Sequence, residues 1–219
     1  MSIRIVYSPR RRGVALKVSR EGIVEVLAPA GFPEEEVIRL LRMNSSVVER
    51  LKKRAMTMQK KLPELSQQSS MLYLGKSYPL FTSMRLVQFD GERFMVPPGS
   101  DEERIGNLEQ IYRKLAEKYI IPRAGELAEY FGIAIGTVKI NKAVTRWGSC
   151  SARGDLNFSW HLIRCPDELI DSVICHELAH RFVMDHSAAF YRHLSKMDPL
   201  YAEHRTALRR FIRSNPWFR

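Results

Sequence analysis

Short β-prone stretches open the chain. Residues 3–7, 14–18 and 23–27 are rich in valine, isoleucine and leucine and are divided by turn residues, as expected of strands on a half-buried sheet. The Glu21-Gly22 pair predicts a hairpin between the last two, and Pro29 with Gly31 closes the meander. The spacing of apolar residues then changes. Val37, Leu40, Leu41, Val47, Val48 and Leu51 recur behind Pro33-Glu34-Glu35-Glu36, where proline and acids suit the first turn of a helix. One helix is expected from there to a basic end at Lys52-Lys53-Arg54. Residues 56–70 are polar, lack a pattern and read as a linker.

Strands resume at residues 71–74, 78–81, 85–89 and 93–96, with Asp90-Gly91 as a tight hairpin turn. Pro97-Pro98-Gly99-Ser100 punctuates their end, so the main boundary is placed near residue 100: a β-rich region with one helix over 1–100, and a second region over 101–219. The second region opens with a long helical stretch over 102–130, interrupted or bent at Pro122. Strands are expected around 133–140 and 155–159, then a helix starting at Pro166-Asp167-Glu168. A turn at 184–186 leads to Ser187, an N-cap for a helix that Asp198-Pro199 ends, and a last helix covers 201–213. The class is α+β, and no internal repeats are seen.

With 219 residues, 45% of them hydrophobic, the chain can bury a real core as one domain or two small ones. No apolar run is long enough to span a bilayer, and the amino terminus lacks the apolar core of a secretory signal. A cytoplasmic protein without a membrane partner is expected. Cys150, Cys165 and Cys175 form no Cys-x-x-Cys pair and suit a reducing compartment. A net charge of +11 favours anionic partners or substrates. Arg10, Arg11 and Arg12 form one block, and Arg205, Arg209 and Arg213 repeat at i, i+4 in the tail. That stripe either binds phosphates or is the solvated face of a helix whose Leu208 and Ile212 pack inward.

The sharpest chemistry lies in His176-Glu177-Leu178-Ala179-His180, followed by His186. Two histidines four apart on a helix share one face, so both imidazoles can reach one ion. Glu177 then stands beside that ion, placed to take a proton from an activated water and pass it to a leaving group. His186 follows at the spacing of a third ligand. Leu169 and Val173 continue the histidine face while Ile170, Ile174, Leu178 and Phe182 line another, so the helix is buried on several sides. Buried histidines with a glutamate need a compensating partner, which a metal provides.

The series Arg146-Trp147-Gly148-Ser149-Cys150-Ser151, Leu156-Asn157, Pro166, His176-Glu177-Leu178-Ala179-His180, His186-Ser187 and Phe190-Tyr191 closely resembles the YgjP-like metallopeptidase family, relatives of the WLM and SprT-like zinc proteases. The amino-terminal meander and its helix resemble that family too. The resemblance implies a β-rich amino-terminal section followed by a zincin-like helical metallohydrolase domain with a small sheet. It also implies Zn2+ on His176, His180 and His186, with Glu177 as catalytic acid and base. The histidine spacing matches metzincins as well, whose pattern has glycine where this chain has Val183, so the chain must turn toward His186 by another route.

The resemblance places Arg146 and Trp147 near the active site as substrate-binding residues. The arginine suits a carboxylate or phosphate, and the indole either stacks on substrate or anchors the fold. Asp185 and Asp198 are candidate partners for the imidazole N–H groups. His193 reads as a surface residue or a helper of the site, and His161 as structural. The leading expectation is a zinc peptidase acting on a peptide or protein. The alternatives are a metal-dependent hydrolase of nucleoside triphosphate phosphoanhydrides, or a DNA-associated protease or binding module.

Overall fold

A computed structural model describes residues 3–9, 11–18, 24–59, 69–144 and 146–215. The chain divides into two compact units, Met1–Pro63 with Arg219, and Glu64–Phe218.

In the first unit, β1 (Ile3–Ser8), β2 (Ala15–Val18) and β3 (Val24–Pro29) form a sheet in the order β1-β3-β2, with β1 parallel and β2 antiparallel to β3. The Glu21-Gly22 turn lies outside the described residues. Val26, Ala28 and Val37 make the buried core, and Ile5, Val14, Leu16, Phe32 and Leu41 pack on it. Buried Glu25 is neutralised across the sheet by Lys17 at 2.8 Å. The single helix expected up to Arg54 is two, α1 (Glu34–Met43) and α2 (Ser45–Gln59). Asn44 causes the break. Its side-chain Nδ2 and backbone N–H both donate to the Leu40 carbonyl, at 2.9 and 3.1 Å, which ends α1 as a C-cap.

The second unit begins with β4 (Ser70–Tyr73), β5 (Lys76–Thr82), β6 (Gln88–Phe89) and β7 (Phe94–Val96), ordered β4-β5-β7-β6. These strands pack with the helices C-terminal to them. Met71, Phe94 and Val96 share one buried cluster with Leu108, Ile111 and Tyr112. The Tyr112 hydroxyl donates to the Leu72 carbonyl at 2.7 Å, and the Leu74 and Gly75 amides donate to Ile163 and Arg164 carbonyls. Ser100 is the N-cap of α3 (Asp101–Tyr130), in a reciprocal capping box with Glu103. Pro122 leaves α3 in one piece. Its missing hydrogen bond is offset by packing of the fully buried Ile120 and Ala124 on either side.

A small sheet comes next, β8 (Val138–Asn141), β9 (Gly148–Cys150) and β10 (Leu156–Ser159), ordered β8-β10-β9. β10 runs parallel to β8 and antiparallel to β9, which stands at the edge. A 3-10 segment, Trp160–Arg164, leads into α4 (Asp167–Ala179), α5 (Ala188–Met197) and α6 (Tyr201–Ser214). The chain is thus α+β, with small sheets in both units and helices for its last three elements. No helix among the described residues is long and apolar enough to cross a membrane.

Candidate metal centre

Helix α4 is fixed before its histidines are considered. Pro166 precedes its first turn, Asp167 and Glu168 occupy that turn, and Leu169, Ile170, Val173, Ile174 and Leu178 are buried. Arg123 of α3 holds Asp171 with two parallel bonds, Nε–Oδ1 at 2.9 Å and Nη2–Oδ2 at 2.6 Å. The helix ends at Ala179, with His180 as its C-cap. The chain then turns tightly, Arg181 N–H donating to Leu178 O at 2.9 Å and Phe182 N–H to Ala179 O at 3.0 Å. His180 Nδ1 donates to the Val183 carbonyl at 3.1 Å. The imidazole itself ties the turn that carries Val183 where metzincins have glycine.

This turn brings His186 back to the helix. Its Nε2 lies 3.1 Å from His176 Nε2. His176, His180 and His186 each offer a ligand atom, all within 4.8 Å of one another, a set that could hold a metal ion. The ring of Phe190, fully buried on α5, lies 4.9, 4.6 and 4.8 Å from the three imidazole centroids and braces them together. Burial, then the neighbouring His180, His186 and Arg205, push the His176 pKa down to about 4. His180 is also lowered, chiefly by burial. Neutral imidazoles keep a lone pair for a cation, and with Nδ1 of His180 donating, its Nε2 is the free base. Two imidazole nitrogens at 3.1 Å either share a proton or converge on an ion. The donor set fits a borderline metal such as zinc.

Glu177 is buried on α4 beside the triad, and burial lifts its carboxyl up to about 7 against the pull of Arg146. Its side chain runs directly under the backbone of β9. A Cβ at Gly148 would stand 2.6 Å from both Cγ and Oε1 of Glu177, so only glycine lets strand and carboxylate approach this closely. Arg146 is exposed just before β9, while Trp147 is half-buried and packs on the main core. The carbonyl of Trp147 accepts from the Ser159 amide at 2.9 Å.

A family model, the YgjP-like metallopeptidase domain, matches residues 12–211. The chain belongs to the YgjP-like metallopeptidase family. Neither curated proteins nor solved structures gave a match. Membership makes this a metallohydrolase-family chain and implies a metal ion, for which the histidine triad is the fitting place.

In this YgjP-like chain the imidazole partners differ from the carboxylates expected. Asp198 is buried but accepts from Ser172 Oγ and from His204 Nδ1, the latter at 3.0 Å, tying α4 to α6. Asp185 accepts from the Ser187 amide at 2.9 Å and shapes the entry to α5. Phe182 lies beyond the end of α4, is exposed, and stacks on His193 at 4.4 Å. His161 is buried against Trp160 and Arg164, in keeping with a structural role. Three features escaped sequence reasoning: the edge strand β9, the Phe190 brace and the His180–Val183 tie. Gly148, in the Arg-Trp-Gly-Ser-Cys stretch, was a signal for the first, and Phe190, in the Phe190-Tyr191 pair, for the second.

Proposed function

We propose that this YgjP-like protein is a zinc-dependent peptidase, with zinc on His176, His180 and His186 and Glu177 as general base and acid. The observation that carries the reading is the gathering of three imidazoles within 4.8 Å beside a buried carboxyl lifted up to about 7. Zinc held there supplies Lewis acidity, making water nucleophilic near neutral pH and polarising a carbonyl. With zinc bound, Glu177 would accept the proton of the attacking water on a carboxylate oxygen and deliver it to the departing amine. An extended peptide suits the outer edge of β9, an edge strand among the described residues whose Gly148 borders Glu177. Arg146, exposed just before β9 and acting electrostatically on Glu177, suits a substrate carboxylate, while Trp147 supports the strand from the core side. The free cysteines suit a reducing cytoplasm.

The test is Glu177→Gln beside wild type, with metal content by elemental analysis and hydrolysis of an internally quenched peptide library. The expected result is one zinc per chain in both, with the rate about 100- to 10,000-fold lower in the variant. Full activity in a metal-loaded Glu177→Gln protein would sink the reading.

A second reading, hydrolysis of a nucleoside triphosphate phosphoanhydride, is favoured by two exposed arginines, Arg146 acting electrostatically on Glu177 and Arg205 on His176. Phosphate or pyrophosphate release by the same metal-loaded protein, with no peptide cleaved, would select it.

A further inference from the structure

The edge strand beside Glu177 reaches the main core through the half-buried Trp147 and Cys150. Gly148, Ser149 and Cys150 are all half-buried, whereas Leu156 and Phe158 of the adjoining β10 are sunk in the main core. Pairing with β10 fixes the register of β9 but not how far the hairpin tip lifts from the helix that carries His176 and Glu177. Something must hold that tip.

The residue after His180 reaches it. Arg181 Nε donates to the Ala134 carbonyl at 3.1 Å, and Nη1 donates to the Ala152 carbonyl in the β9–β10 turn, also at 3.1 Å. The turn is shaped for this guanidinium. Gly154 adopts φ +91°, and a Cβ there would lie 2.9 Å from both Cζ and Nε of Arg181. The two segments that receive the guanidinium are themselves joined. The Gly136 amide donates to the Gly154 carbonyl at 2.9 Å, and Asp155 Oδ1 accepts from the Thr137 amide and hydroxyl at 2.9 and 2.8 Å. A planar fork spanning two backbone carbonyls is a task for arginine, since lysine offers only a point donor.

We propose that Arg181 is a positioning residue for hydrolysis: its guanidinium clasps the β9–β10 hairpin to the end of the triad helix and so sets how the edge of β9 stands against Glu177. The inference rests on the peptidase reading above. It makes one segment, residues 180–181, responsible for two alignments, the His180 imidazole and the strand beside the base. A displacement of about 1 Å in such a site lowers turnover about 100-fold.

The test compares wild type, Arg181→Ala and Arg181→Lys, each loaded with zinc, for zinc content, amide hydrogen exchange over residues 148–156, and kcat and KM on the quenched peptide library. The expected Arg181→Ala protein keeps one zinc per chain, exchanges about tenfold faster over 148–156 with α3 unchanged, and loses about 10- to 100-fold in kcat/KM. Millimolar methylguanidinium restores part of that activity, and lysine does not replace it. Should Arg181→Ala fail to fold, Arg181→Lys carries the same readings, because it keeps the charge and the stem. Unchanged exchange over 148–156, or faster exchange with kcat/KM within twofold of wild type, overturns the proposal. A wild type that cleaves no peptide refutes the peptidase reading instead, and hydrogen exchange still decides whether the clasp exists.

Discussion

Besides the Phe182–His193 pair, histidine meets aromatic rings in two clusters among the described residues of the second unit. In one, the His161 imidazole stacks on Trp160 with centroids 3.8 Å apart, and the Arg164 guanidinium lies 5.1 Å from the Trp160 ring and 5.2 Å from Tyr112. In the other, three imidazoles surround Phe190. Both places are perturbed electrostatically. Burial lowers Arg164 to about 10, which leaves it charged at neutral pH over two aromatic faces. Burial likewise lowers His176 to about 4. The difference lies in convergence and access. The first cluster is sealed and mixes one imidazole with an indole and a guanidinium, whereas the second gathers like donors and leaves His186 exposed. A shifted pKa marks burial in both, so it takes several lone pairs aimed at one accessible point to mark a metal site.

The sharpest way to test that contrast inside the triad is Phe190→Ala. Phe190 is fully buried and touches all three imidazole rings, so its removal leaves a cavity beneath them. Loss of about 3–5 kcal/mol of stability is expected by thermal or urea unfolding. Zinc titration should also show weaker binding, because the rings lose a shared brace. Unchanged zinc affinity in the folded variant would mean that the His180–Val183 tie and the tight turn suffice alone.

Next in size is Gly148→Ala. Here the added methyl must displace either β9 or the Glu177 side chain, since its Cβ would stand 2.6 Å from Oε1. A stability cost of about 1–3 kcal/mol is expected, with kcat lowered about 10- to 100-fold and zinc content unchanged. Kinetics with zinc analysis on the same sample separates this outcome from a general loss of fold.

These residues also show what could be read along the chain and what could not. The triad was legible because its geometry is local: two histidines one helical turn apart and a third reached through a short turn. The helices α3 to α6 announced themselves by spacing and capping residues. Strand β9 did not. Gly148-Ser149-Cys150 carries no apolar period, and it becomes a strand through pairing with residues 156–158, beyond an intervening turn. Pro97-Pro98-Gly99-Ser100 suggested a domain boundary but introduces the capping box of α3. Met71 and Phe94, before that stretch, are buried with Leu108 and Tyr112 after it, which is a long-range fact. Asn44 broke a helix whose apolar spacing ran on past it, by capping through its own amide. The partner of His180 was sought among carboxylates, while a backbone carbonyl three residues away serves, a group that sequence pattern never advertises.

The smallest expected effect on the site comes from the other histidine. In His161→Leu a ring of the sealed cluster is replaced by a side chain of similar bulk, and Arg164 loses a neighbour on which its Nη2 rests. Leaving part of a buried guanidinium less well satisfied costs about 1–3 kcal/mol, visible as a lower unfolding midpoint. Zinc stoichiometry should stay at one per chain and kcat/KM within about twofold of wild type, because His161 offers no donor to the triad and its cluster is closed by Trp160 and Tyr112. Loss of zinc in a folded His161→Leu protein would break the contrast. The sealed cluster would then be holding α4 in place through the short link from Arg164 to Pro166, and its burial would be part of the metal site's own support.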